Sequence, residues 1–273
     1  MDKKQPRTGV KKETVQKPFL TGNATDENTV RSSFGFFGIL LIIIFVSFIV
    51  CATAVMDNKI LRIGLNAAVI AATLMIVYNR GAVQGAEAVA RGEILYQKKE
   101  KGQSFSEAER KICFHPLKGY LNGLFGTLPF LIAALVLASV TTVQMTQAGT
   151  LPSWMQAYLR RSDIGNALVN YTQPDPMGLA DYVRAAVRIC IIPYVNIVSY
   201  TNKYGMMVLE RLSPLIMLIP AAVYGTGYLR GKKIRTGIHT AIKENDRNRI
   251  RREKRKMKAR MNASRKNEPE QLN

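Results

Sequence analysis

The chain reads as an all-α integral membrane protein with four transmembrane helices and one or two outer interfacial or re-entrant helices. Three observations predict this. The stretch from Phe34 to Val55, FGFFGILLIIIFVSFIVCATAV, holds 22 residues without a charge, enough to cross about 30 Å of hydrocarbon as a helix. Of 273 residues, 47% are hydrophobic, and 39 Lys plus Arg oppose 19 Asp plus Glu; the apolar residues collect in long blocks with most charges between and after them, the arrangement a bilayer imposes. Finally, the apolar run LSPLIMLIPAAVYGTGYL, 212–229, passes without a linker into a tail of 16 basic and five acidic residues, too cationic to follow the run across a membrane.

Residues 1–33 are polar, with seven Lys or Arg against four acids, the composition of a disordered cytosolic lead. The first span, 34–55, contains the small residues Ala52-Thr53-Ala54, as a signal-peptide cleavage site would. Its apolar core is longer than an ordinary signal core and a second span follows at once, so it reads as an uncleaved anchor. Asp57-Asn58-Lys59 make a minimal turn into the second span, 60–78. There Gly64, Ala68 and Ala72 recur every fourth residue beside Ala67 and Ala71, which predicts a tight hairpin of the first two spans. Arg62 stands where its stem can snorkel, and Asn66 is suited to an interhelix hydrogen bond.

The loop 79–118 carries eight Lys or Arg and five Glu. Val83, Ala86, Val89, Ala90, Ile94 and Leu95 fall at helical spacing, so the second helix extends into the cytosol until Lys101-Gly102 breaks it. Ser104 with Glu107, or Ser106 with Glu109, fits the capping box of a short helix that Pro116 ends. The third span, 119–143, has Gly119, Gly123, Gly126 and Pro129 in its inner half, a kinked close-packing surface directed at the second span. Asn122 is a candidate membrane-embedded polar residue within it.

The region 144–205 is outer. Pro152 opens PSWMQAYLRRSDIGNALVNY, whose Trp154 and Tyr158 suit the headgroup layer, and Gln173-Pro174-Asp175-Pro176 ends it. The segment 181–200, DYVRAAVRICIIPYVNIVSY, has the length of a span but Arg184, Arg188 and Asn196 within it. Charge decides its place. If it crossed, keeping the tail inside would export 15 basic residues of the lead and loop; if it lies on or dips into the outer face, 31 of the 39 Lys and Arg stay inside with both termini. The second arrangement obeys the positive-inside rule. The last span, 206–229, contains Pro214 and Pro220, and the basic tail, 230–273, begins with Ile234, Ile238, Ala241 and Ile242 at helical spacing along the inner surface.

Glu210 and Arg211, near the outer end of the last span, are functional candidates because ionisable groups inside a span usually have a partner and a purpose. Adjacent residues on a helix do not face one another, so the available partners of Glu210 are Arg62, Arg184 and Arg188. Arg230, Lys232, Lys233 and Arg235 form a lipid- or partner-contacting set, since cations beside a span are each worth about 1 kcal/mol at an anionic surface. Nucleic acid fits poorly: the tail after Leu229 has no Phe, Tyr or Trp on which bases could stack. Cys51, Cys113 and Cys190 form no CxxC or metal spacing with His115 and His239, and Cys113-Phe114-His115 lacks the other parts of a nucleophilic site. Phosphate-loop, zinc-protease and serine-hydrolase motifs are absent from the sequence. The expectation is therefore a non-enzymatic plasma-membrane scaffold or accessory subunit without a cofactor. Its partners are anionic lipid headgroups, a second protein, or a second copy through small-residue helix faces. The alternative is a small transporter or channel subunit, with the third and last spans lining a path and Glu210 near its outer mouth.

Overall fold

The computed structural model describes residues 15–53, 58–142, 153–165, 167–168, 178–199 and 202–266. All regular structure among them is helical: α1 (Glu27–Thr53), α2 (Lys59–Glu100), α3 (Glu107–Lys111), α4 (Lys118–Val140), a 3-10 segment (Ser153–Arg160), α5 (Leu179–Cys190), α6 (Ile192–Val198) and α7 (Lys203–Lys266). Among the described residues, α1, α2, α4 and α7 are long and apolar enough to cross a membrane.

The last helix is the axis of the bundle. Both α2 and α4 pack along α7, α1 packs on α4, and α1 hardly meets α2. The cause is where side chains are missing. A Cβ on Gly81 or Gly85 of α2 would collide with the Tyr224 or Tyr228 carbonyl, and Gly227 of α7 meets the Tyr78 backbone in the same way. These two helices therefore touch backbone to backbone and run in the same direction. On α4, which runs oppositely, Gly119 lies against the Tyr228 ring, Gly123 against Ala221, and Gly126 against Ser33 and Phe36 of α1.

Two packing expectations are thereby corrected. The glycines of the third span serve α7 and α1 rather than the second span. The small face of the second span does not seal a hairpin with α1: a Cβ on Gly64 would have nothing within 4 Å, and Ala68 and Ala72 are exposed. The reason is the pair α5–α6, since α6 stands against both α1 and α2.

The pair is broken at Ile191, and Pro193 falls in the first turn of α6, where its missing N–H removes no helical hydrogen bond. Val187, Ile191 and Val195, four residues apart, are buried with Ala134 and Leu137 of α4 and Met206, Leu209 and Met217 of α7. Ile191 and Pro193 reach a crevice lined also by Leu40, Thr127 and Pro220, near the middle of the apolar runs of α1, α4 and α7. Asn196 then returns to Cys51 and Asn66 at the end from which α5 entered. Over its described residues, 181–199, the segment thus dips to mid-bundle and comes back, instead of running through the bundle or lying flat.

At the opposite, basic end the expected extension of the second helix is present, because α2 continues unbroken to Glu100. Its 42 residues measure about 63 Å, twice a hydrocarbon core. Gly102, at φ 70°, turns the chain in the left-handed conformation that favours glycine. Ser106 Oγ then accepts from the Ala108 N–H at 3.2 Å to start α3, which is a single turn. Residues 15–33, expected within a disordered lead, pack against the bundle instead. Leu20 N–H donates to Gly92 O at 3.1 Å and Gly22 N–H to Phe114 O at 3.0 Å, and residues 27–33 already belong to α1. The tail also departs from expectation, continuing α7 as one helix of 64 residues instead of beginning a separate surface segment. Residues 1–14, the end of the third span at Val143 and the Gln173–Pro176 turn lie outside the described residues.

Candidate functional site

Polar groups cluster at both ends of the bundle. At the far end, Glu210 is 1% exposed and faces α5 and the end of α4. Its Oε1 accepts from Arg188 Nε at 2.8 Å, and its Oε2 lies 3.4 Å from Arg184 Nε and 3.1 Å from Thr141 Oγ1. Arg184 Nη1 donates to Asp181 Oδ1 at 2.7 Å. Two guanidinium groups and two carboxylates thus offset one another where desolvation would otherwise be costly. Beside them, Asn66 Nδ2 donates to Arg62 O at 2.8 Å, and Asn66 Oδ1 accepts from Cys51 Sγ at 3.3 Å and from Asn196 Nδ2 at 3.4 Å. One amide ties α1, α2 and α6 together.

The basic end has two buried ion pairs and a groove. Glu93 of α2 accepts from Arg235 Nε at 2.9 Å, and its other oxygen lies 2.8 Å from His239 Nε2; both partners are on α7, one turn apart. Lys118 Nζ, at the start of α4, donates to Asp26 Oδ2 at 2.7 Å and to Lys111 O at 3.0 Å. Burial alone would raise the Asp26 carboxyl. Hydrogen bonds from the Lys118 ammonium and the Thr29 hydroxyl, together with the Lys118 charge, outweigh it and hold Asp26 below its ordinary value. The lead is strapped over these pairs, with Phe19 edge-on to Phe114 at 6.1 Å and Val15 N–H on Thr240 Oγ1 at 3.2 Å.

The groove lies open to the surface between α2 and α7, where Tyr78, Thr226, Leu229, Arg230, Lys233 and Ile234 border about 610 Å³. Arg230 Nη1 donates to Tyr78 Oη at 2.8 Å, and the guanidinium carbon is 5.7 Å from the centre of that ring, within cation–π range.

The structure brings Glu210 to Arg184 and Arg188 but not to Arg62, whose Nε is buried without a partner among the described residues. Arg211 is exposed, Asn122 is buried in α4, and Asn66 makes the interhelix bonds its position suggests. The cationic set divides. Arg230 and Lys233 line the groove, whereas Lys232 stands 5.5 Å over the Phe19 ring and Arg235 holds Glu93. Burial raises the Cys113 thiol and so disfavours its thiolate, while His115 Nδ1 accepts from the Leu117 N–H at 3.3 Å.

Glu93, His239, Asp26, Lys118 and Asn196 were not legible as a site in the sequence. For Glu93 a signal existed: it continues the face of Gly85 and Val89 at four-residue spacing, which is the face turned to α7.

Fold and site together define a bundle of four helices long and apolar enough to cross a membrane, with a helix pair dipping in from one end and paired helices extending from the other. No family model, curated protein or solved structure matches the chain.

Proposed function

We propose that the chain is a non-enzymatic integral component of the plasma membrane, a scaffold or accessory subunit. In this reading α1, α2, α4 and α7 cross the bilayer, both termini are cytosolic, and the basic end meets anionic lipid or a partner protein. The paired exit of α2 and α7 carries the proposal. The two helices leave the apolar zone side by side, are joined by Glu93, Arg235 and His239, and continue as a basic α7 exposed on every face over 243–262. A rigid base with a long, exposed, basic helix suits holding something rather than converting it. Deleting residues 243–273 tests this: the spans should remain inserted while crosslinks formed from the cytosolic end in cells disappear. An unchanged set of crosslinked partners overturns the scaffold reading.

The dip of α5–α6 favours a second reading, a small transporter or channel subunit, because broken helices that end at mid-membrane are a means of building substrate paths. Glu210 is its test residue. For a transporter, Glu210→Gln changes flux or its pH dependence in proteoliposomes with assembly intact; for a scaffold, it changes stability alone.

A further inference from the structure

We infer that the groove bounded by Tyr78, Arg230 and Lys233 is a binding site for the phosphate headgroup of one anionic phospholipid. This rests on the membrane reading above. Its level is the first reason. On α2 the apolar run ends at Tyr78 and Arg80 follows; on α7 it ends at Leu229 and Arg230 follows. Because the two helices are parallel and in register, with Gly227 against Tyr78, both change from apolar to cationic at one height, which is where headgroups lie.

The state of the cations is the second reason. Lys118 and Arg235 are committed to Asp26 and Glu93, and Lys232 covers Phe19. Arg230 and Lys233 are exposed and pair with no carboxylate among the described residues. Tyr78 holds the Arg230 guanidinium by one N–H and by its ring, leaving the remaining N–H donors for a planar contact with two phosphate oxygens. Lys233, one turn on, adds a second charge to the same groove. Size and lining complete the case: about 610 Å³ is ample for a phosphoglycerol group, and Leu229 and Thr226 continue the wall towards the apolar zone, where acyl chains would leave. Inorganic phosphate would use the cations and leave that wall empty.

Native mass spectrometry on the full-length protein, extracted into mild detergent with equal phosphatidylglycerol and phosphatidylcholine, tests the site. The expected result is one tightly retained phosphatidylglycerol. Arg230→Gln with Lys233→Gln should weaken its retention about thirtyfold, the worth of two cations near an anionic surface. Tyr78→Phe, which keeps the ring and frees the guanidinium, should weaken it about threefold. The charge-keeping pair Arg230→Lys with Lys233→Arg should recover most of the double variant's loss, which separates lost charge from misfolding. Wild-type retention in the double Gln variant overturns the proposal, as does displacement of the lipid by soluble glycerol phosphate at equal concentration. If truncation at residue 242 removes the lipid while the double Gln variant keeps it, the groove assignment fails and lipid contact by the tail stands. No preference for phosphatidylglycerol in any variant sinks both.

Discussion

Glu210 carries a charge whose position makes sense only through its partners. It cannot be removed alone: Glu210→Gln leaves the buried Arg184 with Asp181 as its remaining carboxylate, and the half-buried Arg188 with none among the described residues. Breaking a buried pair from one side costs about 3–5 kcal/mol. The expected outcome is a clear loss of thermal stability in detergent, and Arg211→Gln, on an exposed side chain, should shift it by no more than about 0.5 kcal/mol. Asp26 gives a second prediction with a definite sign. Its folded-state carboxyl is depressed by Lys118 and Thr29, so its contribution is present above the unfolded value of about 3.9 and is lost as pH falls through the lower folded value. The melting difference between wild type and Asp26→Asn should therefore be constant from neutral pH down to about 5 and close in the acid range below about 3.9. A difference independent of pH would remove the ion-pair explanation.

At the scale of helices, the contact of α2 with α7 is built on absent side chains, and two glycines of the same helix make opposite predictions. Gly85→Val places atoms on the Tyr228 carbonyl, so the helices must separate, with a cost of at least the ~1–3 kcal/mol of an overpacked core. At Gly64 an added Cβ meets nothing within 4 Å, so Gly64→Val should stay within about 0.5 kcal/mol. Melting curves of the two variants in one detergent decide the matter; equal losses would mean that α2 does not approach α7 as described. Separation at Gly85 should also loosen Glu93 from Arg235 and His239, because the same two helices hold both contacts.

For the whole molecule, the arrangement to be tested is which end faces the cytosol. In a background with Cys51, Cys113 and Cys190 replaced, Ser162→Cys should react with a membrane-impermeant maleimide in intact cells, while Asn248→Cys reacts only after lysis. The reverse pattern would place α7's basic half outside and contradict the charge argument. The length of α7, 64 residues or about 96 Å at 1.5 Å per residue, exceeds three hydrocarbon thicknesses. Its distal half is therefore too far from the apolar run to share one hydrocarbon core with it, whichever side it occupies.

Much of this architecture follows from the order of residues alone. Four apolar runs, the break at Lys101-Gly102, the extension of the second helix past Tyr78 and the attraction of Glu210 to Arg184 and Arg188 are properties of run length, local backbone preference and charge. These depend on neighbours in the chain or on a scarcity of alternatives. Tertiary structure alone decided which helix each glycine face would meet, that α6 would stand between α1 and α2, and that Glu93 would be buried by Arg235 and His239 from more than 140 residues later. The physical reason is that helical periodicity sets the direction a residue faces around its own axis, but a small face permits close approach by any neighbour. The neighbour is chosen by how all the helices share the available buried surface, and that is a property of the assembled bundle.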